Sequence, residues 1–294
     1  MEISELLLDF RITSRCHLSC NLCFRNPGIS DQPLENILKV IAKLSKSGFR
    51  RIGITGGEPT TREDYIDIIG YAKQLGFLTY LSTVGHKFID HLALLEPILD
   101  WVGLPLDGVC YKTNAAVRSA SMGDQHEVIK SIFNSLSQKP TTIRVKLTTV
   151  VSKVNVYDLN DIVLFVKKLH CNFAIWRFYQ FCPLGIGKAD RKNLEIPTEL
   201  FLEQMTILKE RHRNVPISWA TFKERDQANI VMEPNFDIII PEGEEYTCLG
   251  NIQRDNYLSI IASIVNRQDV LSKCLANRYW LGDSTDEQQA GVPA

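Results

Sequence analysis

"LLLDFRITSRCHLSCNLCF", residues 6–24, begins with a strand-like apolar run, residues 6–13, and then sets three cysteines, Cys16, Cys20 and Cys23, in the segment that follows it. Working outward, residues 34–44 carry Leu34, Ile37, Leu38, Ile41 and Leu44 at the spacing of one helix face. The alternation then repeats. RRIGIT (50–55) reads as strand and 65–75 as helix; FLTYLST (77–83) as strand and 91–99 as helix; WVGLPL (101–106) as strand and 125–136 as helix. TIRVKLTTVV (142–151) and FAIWRFYQF (173–181) are two more strands, each followed by a helix, at 158–169 and 199–212. Six strand–helix units in series imply a parallel sheet with right-handed crossovers. The expected fold class is therefore α/β: a full or partial (β/α)6 TIM-like barrel over residues 1–213 with a small C-terminal extension, 214–281, packing on or closing it. In that extension PNFDIIIPEGEEYTCLGN reads as a hairpin turning at Glu242-Gly243, and the polar tail 282–294 is expected to be disordered. In a parallel barrel the working groups sit at the C-terminal ends of strands, which is where the three cysteines fall.

Composition narrows the context. The chain has 294 residues, 45% hydrophobic and 23% charged, enough to bury a substantial core. A formal net charge of −1 gives no global field that would steer it onto nucleic acid or an anionic membrane. The first residues are acidic and carry no cleavage site, and no run approaches the roughly 18 to 20 apolar residues of a spanning helix. A cytoplasmic protein is expected. Eight cysteines without a secretion signal then favour reduced thiols or metal ligands over a disulfide framework.

Three thiolates with no fourth nearby admit several metal readings. Structural zinc is closed by four ligands, and His17, adjacent to Cys16, is poorly placed to share a tetrahedron with it. A zinc-binding interaction module would have to recruit a distant ligand such as Cys248. An iron–sulfur cubane has four irons, so three thiolates leave one iron open to a small molecule. An iron–sulfur carrier or sensor and an enzyme both fit that pattern.

Cys16-x3-Cys20-x2-Cys23, with Phe24 following, resembles the signature of the radical S-adenosylmethionine (SAM) superfamily. The resemblance implies that the three cysteines hold one [4Fe-4S] cluster whose open iron is chelated by the methionyl amine and carboxylate of SAM. One electron would then cleave the sulfonium C–S bond to a 5′-deoxyadenosyl radical that abstracts a substrate hydrogen. "TGGEPTT" (55–61) stands where that family carries its Gly-Gly-Glu segment, which makes Gly56, Gly57 and Glu58 the implied contacts to SAM. In "LSTVGH" (81–86) Ser82 and Thr83 are implied for ribose or carboxylate, although Val84 replaces the family's usual Asn. "PLDG" (105–108) is similar to the family's Leu-Asp-Gly, and Arg118 lies where relatives engage the SAM carboxylate. The resemblance covers residues 6–181.

The substrate side is read from strands five and six. Arg144, Lys146 and Thr148 alternate onto one face, and Arg177 sits between Trp176 and Phe178. Inward-pointing cations would need anionic partners. "VKLTTVVSKVN", "IWRFYQF" and "ELFLEQMTILKERH" resemble the corresponding parts of viperin-like members, which dehydrate cytidine triphosphate; this implies that Lys146 and Arg177 face a triphosphate. Modification of a peptide or another small molecule is the alternative within the enzyme class. "CLGNIQRDNYLSII" from Cys248 loosely resembles the opening of a second-cluster domain, but only Cys248 and Cys274 are available there, so one cluster is expected. Cys110, Cys171 and Cys182 read as small buried apolar residues, and Tyr179 and Trp219 as packing. The implied partners are a small-molecule substrate and a reductant such as flavodoxin or ferredoxin.

Overall fold

The alternating pattern folds into one ten-stranded sheet in a computed structural model that describes residues 3–118, 125–169 and 173–278. In chain order the elements are β1 (Leu7–Arg11), α1 (Leu34–Lys46), β2 (Arg51–Thr55), α2 (Tyr65–Gln74), β3 (Leu78–Ser82), α3 (Leu92–Leu95), β4 (Trp101–Pro105), α4 (Tyr111–Val117) and α5 (Gln125–Gln138). Then come β5 (Arg144–Val151), α6 (Leu159–Lys168), β6 (Ile175–Gln180), α7 (Arg191–Leu194), α8 (Thr198–Arg211), β7 (Ile217–Ala220), α9 (Phe222–Arg225) and β8 (Ile230–Met232). The hairpin β9 (Asp237–Glu242) and β10 (Glu245–Asn251) and the helices α10 (Tyr257–Asn266) and α11 (Gln268–Arg278) complete the described chain. The strand order is β10-β9-β8-β1-β2-β3-β4-β5-β6-β7.

The partial-barrel architecture is present, and it is longer than six strands. From β8 through β1 to β7 every pairing is parallel, while β8–β9 and β9–β10 are antiparallel. "ISWA" and "IVM", the whole of β7 and β8, span four and three residues, too few for an alternating pattern to register. The helix expected at 91–99 is regular only over Leu92–Leu95, because Pro97 has no amide to continue the ladder. The tail 282–294 and Cys171 lie outside the described residues.

Two apolar layers fix where a cavity is left. The larger lies between the outer face of the sheet and its helices. There Phe10, Ile54, Leu81, Leu104, Leu147 and Phe178 meet helix faces such as Ile37, Val40, Ile41 and Leu44 of α1, the i, i+3, i+4, i+7 stripe of an amphipathic helix. The smaller is inside: Leu7, Tyr80 and Trp101, with Leu78, Ala174 and Ile175, form a plug near the starts of the strands, with Tyr80, third in β3, reaching up to the cavity. Gly103 makes room for it, since a Cβ there would stand 1.9 Å from the Tyr80 hydroxyl. The N-terminal end of the barrel is thus filled, and open space remains at the C-terminal ends of the strands.

Candidate active site

That space is a cavity of about 240 Å³ lined by the loop after β1, the end of β2, β3, β5 and β6, and the segment from Phe222 to Tyr246. Cys16, Cys20 and Cys23 all line it. Cys20 is buried against Leu18 and Val84, and Cys16 and Cys23 are half-buried beside the same group. The Leu18 amide donates to Cys16 Sγ at 3.3 Å, and the Cys23 amide donates to the Cys20 carbonyl at 3.2 Å, closing a turn between the second and third cysteines. Burial pushes the Cys16 thiol above its usual range, against the lowering effect of the Leu18 amide.

The loop is held in place by the Gly-Gly-Glu segment. The Gly57 amide donates to the Thr13 carbonyl and the Glu58 amide to the Arg15 carbonyl, each at 2.8 Å. A Cβ on Gly57 would lie 2.1 Å from the Arg15 oxygen, and one on Gly56, whose φ is +153°, would lie 2.4 Å from the Thr13 oxygen. The close approach that these glycines permit is therefore first an approach to the backbone leading into the cysteines. The structure assigns Glu58 a bracing position of the same kind. It is 1% exposed; its Oε1 accepts from the Thr60 amide (3.2 Å), Thr60 Oγ1 (2.7 Å) and Thr83 Oγ1 (2.6 Å), and its Oε2 from the Val84 amide (2.9 Å). Oε2, with one donor, is the oxygen left to receive another. Thr83 spends its hydroxyl on Glu58 and on the Gly85 amide (3.1 Å), so it orients the carboxylate, while Ser82 lines the cavity directly. Thr83→Val removes one donor from a buried carboxylate at nearly constant volume. It is expected to cost about 1–3 kcal/mol in the urea-unfolding free energy.

Arg118 also lines the cavity, with its Nε bonded to the fully buried Asp107 through Oδ2. Asp107 Oδ1 accepts from the Val150 amide at 2.7 Å, which ties the pair to β5. Burial pulls the Arg118 pKa down, but Asp107 and Cys20 outweigh it and hold the guanidinium above its usual range. Asp107 belongs to the "PLDG" stretch; its buried pairing with a residue 11 positions on is the feature that sequence reading leaves out.

The opposite wall is cationic and aromatic. Lys146 is 2% exposed, donates through Nζ to the Tyr179 hydroxyl at 3.3 Å, and lies 5.4 Å and 5.6 Å from the centres of the Tyr80 and Tyr179 rings. Arg225, from α9, stacks on the other ring contact of Tyr179 with Cζ 4.5 Å from its centre. Arg177 does not line the cavity: it is buried in the barrel wall, 5.4 Å from the Tyr179 ring. Arg144 is exposed and stacks on Trp101 at 4.1 Å. Tyr179 and Cys182, read from sequence as packing, both line the cavity, and burial pushes the Cys182 thiol up to about 11. Cys110 is exposed rather than buried.

The donor set fits an iron–sulfur cubane, whose irons each take one thiolate. Among the described residues no three His, Cys, Asp or Glu side chains gather as for a single metal ion, and Cys248 is exposed on β10 away from the cavity lining.

Comparison with known proteins shows the family and the fold. A family model described as the radical SAM superfamily matches residues 10–166. An S-adenosylmethionine-dependent nucleotide dehydratase of Flammeovirga pacifica is 29% identical over 67% of this chain and 70% of its own. Another of the same description, from Lacinutrix mariniflava, is 28% identical over 63% of this chain, which spans only 40% of that relative's length. Among solved structures, native anSMEcpe with bound AdoMet shares the fold at a TM-score of 0.66 and 17% identity, over 87% of this chain and 80% of the other.

Proposed function

The chain belongs to the radical SAM superfamily, and from that premise we propose that its substrate is a nucleotide held by phosphate against the Lys146–Tyr179–Arg225 wall. In this reading Cys16, Cys20 and Cys23 hold the [4Fe-4S] cluster, and Gly56, Gly57, Glu58, Ser82, Thr83 and Arg118 form the SAM side of the cavity. When bound, cluster and SAM supply reductive C–S cleavage and a carbon-centred radical that removes a substrate hydrogen. The chain's own residues bind, orient and exclude water. Glu58 Oε2 accepts from an ammonium, Arg118 pairs with a carboxylate, and the Leu7–Tyr80–Trp101 plug closes the barrel beneath the reactants.

The observation that carries the nucleotide reading is one cavity with thiols on one wall and cations stacked on a tyrosine on the other. Lys146 is buried in the cavity wall, and a desolvated ammonium beside an anionic oxygen forms strong charge-assisted bonds. The two nucleotide dehydratases lend support through their similarity. The reductant is a low-potential carrier such as flavodoxin or ferredoxin, and the site of action is the cytoplasm. Among the described residues no helix is long and apolar enough to cross a membrane.

The test is anaerobic reconstitution followed by dithionite, SAM and a panel of nucleoside triphosphates, with products separated by chromatography. Substrate-dependent 5′-deoxyadenosine with one triphosphate, and a much weaker but measurable response to its nucleoside, is the expected result; equal response to both, or to none of the panel, refutes the reading. Lys146→Ala should raise KM for the triphosphate by about tenfold to a hundredfold, the value of one charge-assisted bond, and leave the nucleoside's KM unchanged. Equal changes for both would remove the phosphate role.

A further inference from the structure

A second buried ion pair adjoins the cysteine loop at Phe24 and Asn26. Arg11, the last residue of β1, and Glu233, just past β8, are both 3% exposed in their side chains and meet at 2.6 Å between Nη1 and Oε1. The other end of the guanidinium, Nη2, donates to the Tyr246 hydroxyl of β10 at 3.0 Å. That hydroxyl donates in turn to the carbonyl of Phe24, the residue after Cys23, at 2.6 Å. Arg11 Cζ stands between two rings, 5.1 Å from that of Phe24 and 5.3 Å from that of Tyr246. Asn26, two residues farther along the loop, donates to the same Glu233 oxygen at 3.0 Å. Burial pushes the Tyr246 phenol up, which keeps its proton available for Phe24. Glu233 Oε2 is buried without a partner among the described residues. Arg11 itself lines the cavity together with Cys23.

A packing role alone does not call for a charge here. An apolar residue would fill the site without the cost of burying two ions. What the pair supplies is an oriented separation of charge, with the guanidinium held by Glu233 and Tyr246 against the backbone that carries the third cysteine. Reduction of a cluster adds negative charge beside it, and a nearby buried cation favours that state.

Resting on the assignment of Cys16, Cys20 and Cys23 as cluster ligands, we propose that Arg11 is a positioning and charge-setting residue for the cluster, and that Tyr246 of the C-terminal hairpin holds it there. The hairpin β9–β10 is then part of the cluster site, although it carries no ligand.

The whole 294-residue chain is reconstituted with iron and sulfide, and its midpoint potential and its rate of iron loss to a chelator are measured. Glu233→Gln keeps the shape and the hydrogen bond to Arg11 but removes the counter-charge. It is expected to shift the reduction equilibrium about tenfold toward the reduced cluster, which is about 59 mV for one electron. Tyr246→Phe keeps the ring and removes only the hydroxyl, and iron loss should accelerate about tenfold, a ~1.4 kcal/mol effect, while the urea midpoint stays near wild type. A wild-type potential in Glu233→Gln overturns the charge-setting role, and wild-type iron loss in Tyr246→Phe overturns the positioning role. A wild-type chain that takes up no cluster fails at the ligand assignment instead, and the two failures are read from different samples.

Discussion

Cys20→Ala is expected to leave the chain folded and strip it of iron: from about four atoms per chain to fewer than one after reconstitution, with 5′-deoxyadenosine falling below detection. The asymmetry comes from where Cys20 sits. It is buried beside Leu18 and Val84 in a small cluster at the cavity edge, apart from the two main apolar layers, so losing one sulfur from that cluster costs about 1 kcal/mol. Two remaining thiolates, on the other hand, leave two irons of a cubane without outside ligands. The urea-unfolding midpoint of the apo chain should therefore move little while the iron-linked absorbance disappears. Iron content and SAM cleavage that survive in Cys20→Ala would overturn the ligand assignment, whatever the stability data say.

Gly57→Ala should be nearly as damaging although Gly57 carries no thiolate. The added methyl group meets the Arg15 carbonyl oxygen at 2.1 Å and its carbon at 2.6 Å, both backbone atoms that cannot rotate away. One of the two strands of contact has to yield, and the Thr13–Arg15 segment carries Cys16 with it. We expect a loss upward of about 3 kcal/mol from overpacking against the main chain, and a several-fold drop in the iron retained after desalting. Gly70→Ala is the control. It lies within α2, its Cβ would meet only Ile98 carbons at 3.9 Å, and exchanging a helix-interior glycine for alanine should stabilise by about 0.5–1 kcal/mol. Equal iron content in the two variants would show that the Gly-Gly approach does not position the loop.

The parts of this molecule that sequence reveals are those whose cause is local. The stripe of α1 and the short apolar strands each answer to a period of 3.6 or 2 within a single window, and the cysteine spacing is complete in eight residues. β7 and β8 escaped because three or four residues carry no period; their strand character comes from the neighbours they pair with. The site divides the same way. Cys16, Cys20, Cys23 and Gly-Gly-Glu are contiguous motifs, whereas Asp107 under Arg118, Arg225 on Tyr179 and the Arg11–Glu233–Tyr246 chain exist only after distant segments meet. Arg11 and Tyr246 are 235 positions apart. Arg177 shares its strand face with Tyr179, two residues on, and alternation could not tell which of the two takes the place at the cavity surface; it is Tyr179.

The position of β1 between β2 and β8 has a consequence for how the chain is made. One edge of β1 is covered as soon as β2 and α1 have emerged, but the other waits for β8, and Arg11 waits for a partner 222 residues downstream. At about 5–20 residues per second that interval is on the order of 10–45 s, during which a nascent chain exposes an unpaired strand edge and an unneutralised cation next to three thiols. Folding intermediates of this protein should accordingly be open on the β1 side. Insertion of metal during synthesis would meet a loop fixed by Gly-Gly-Glu alone, and the closing hairpin would seal it only as the last third of the polypeptide leaves the ribosome.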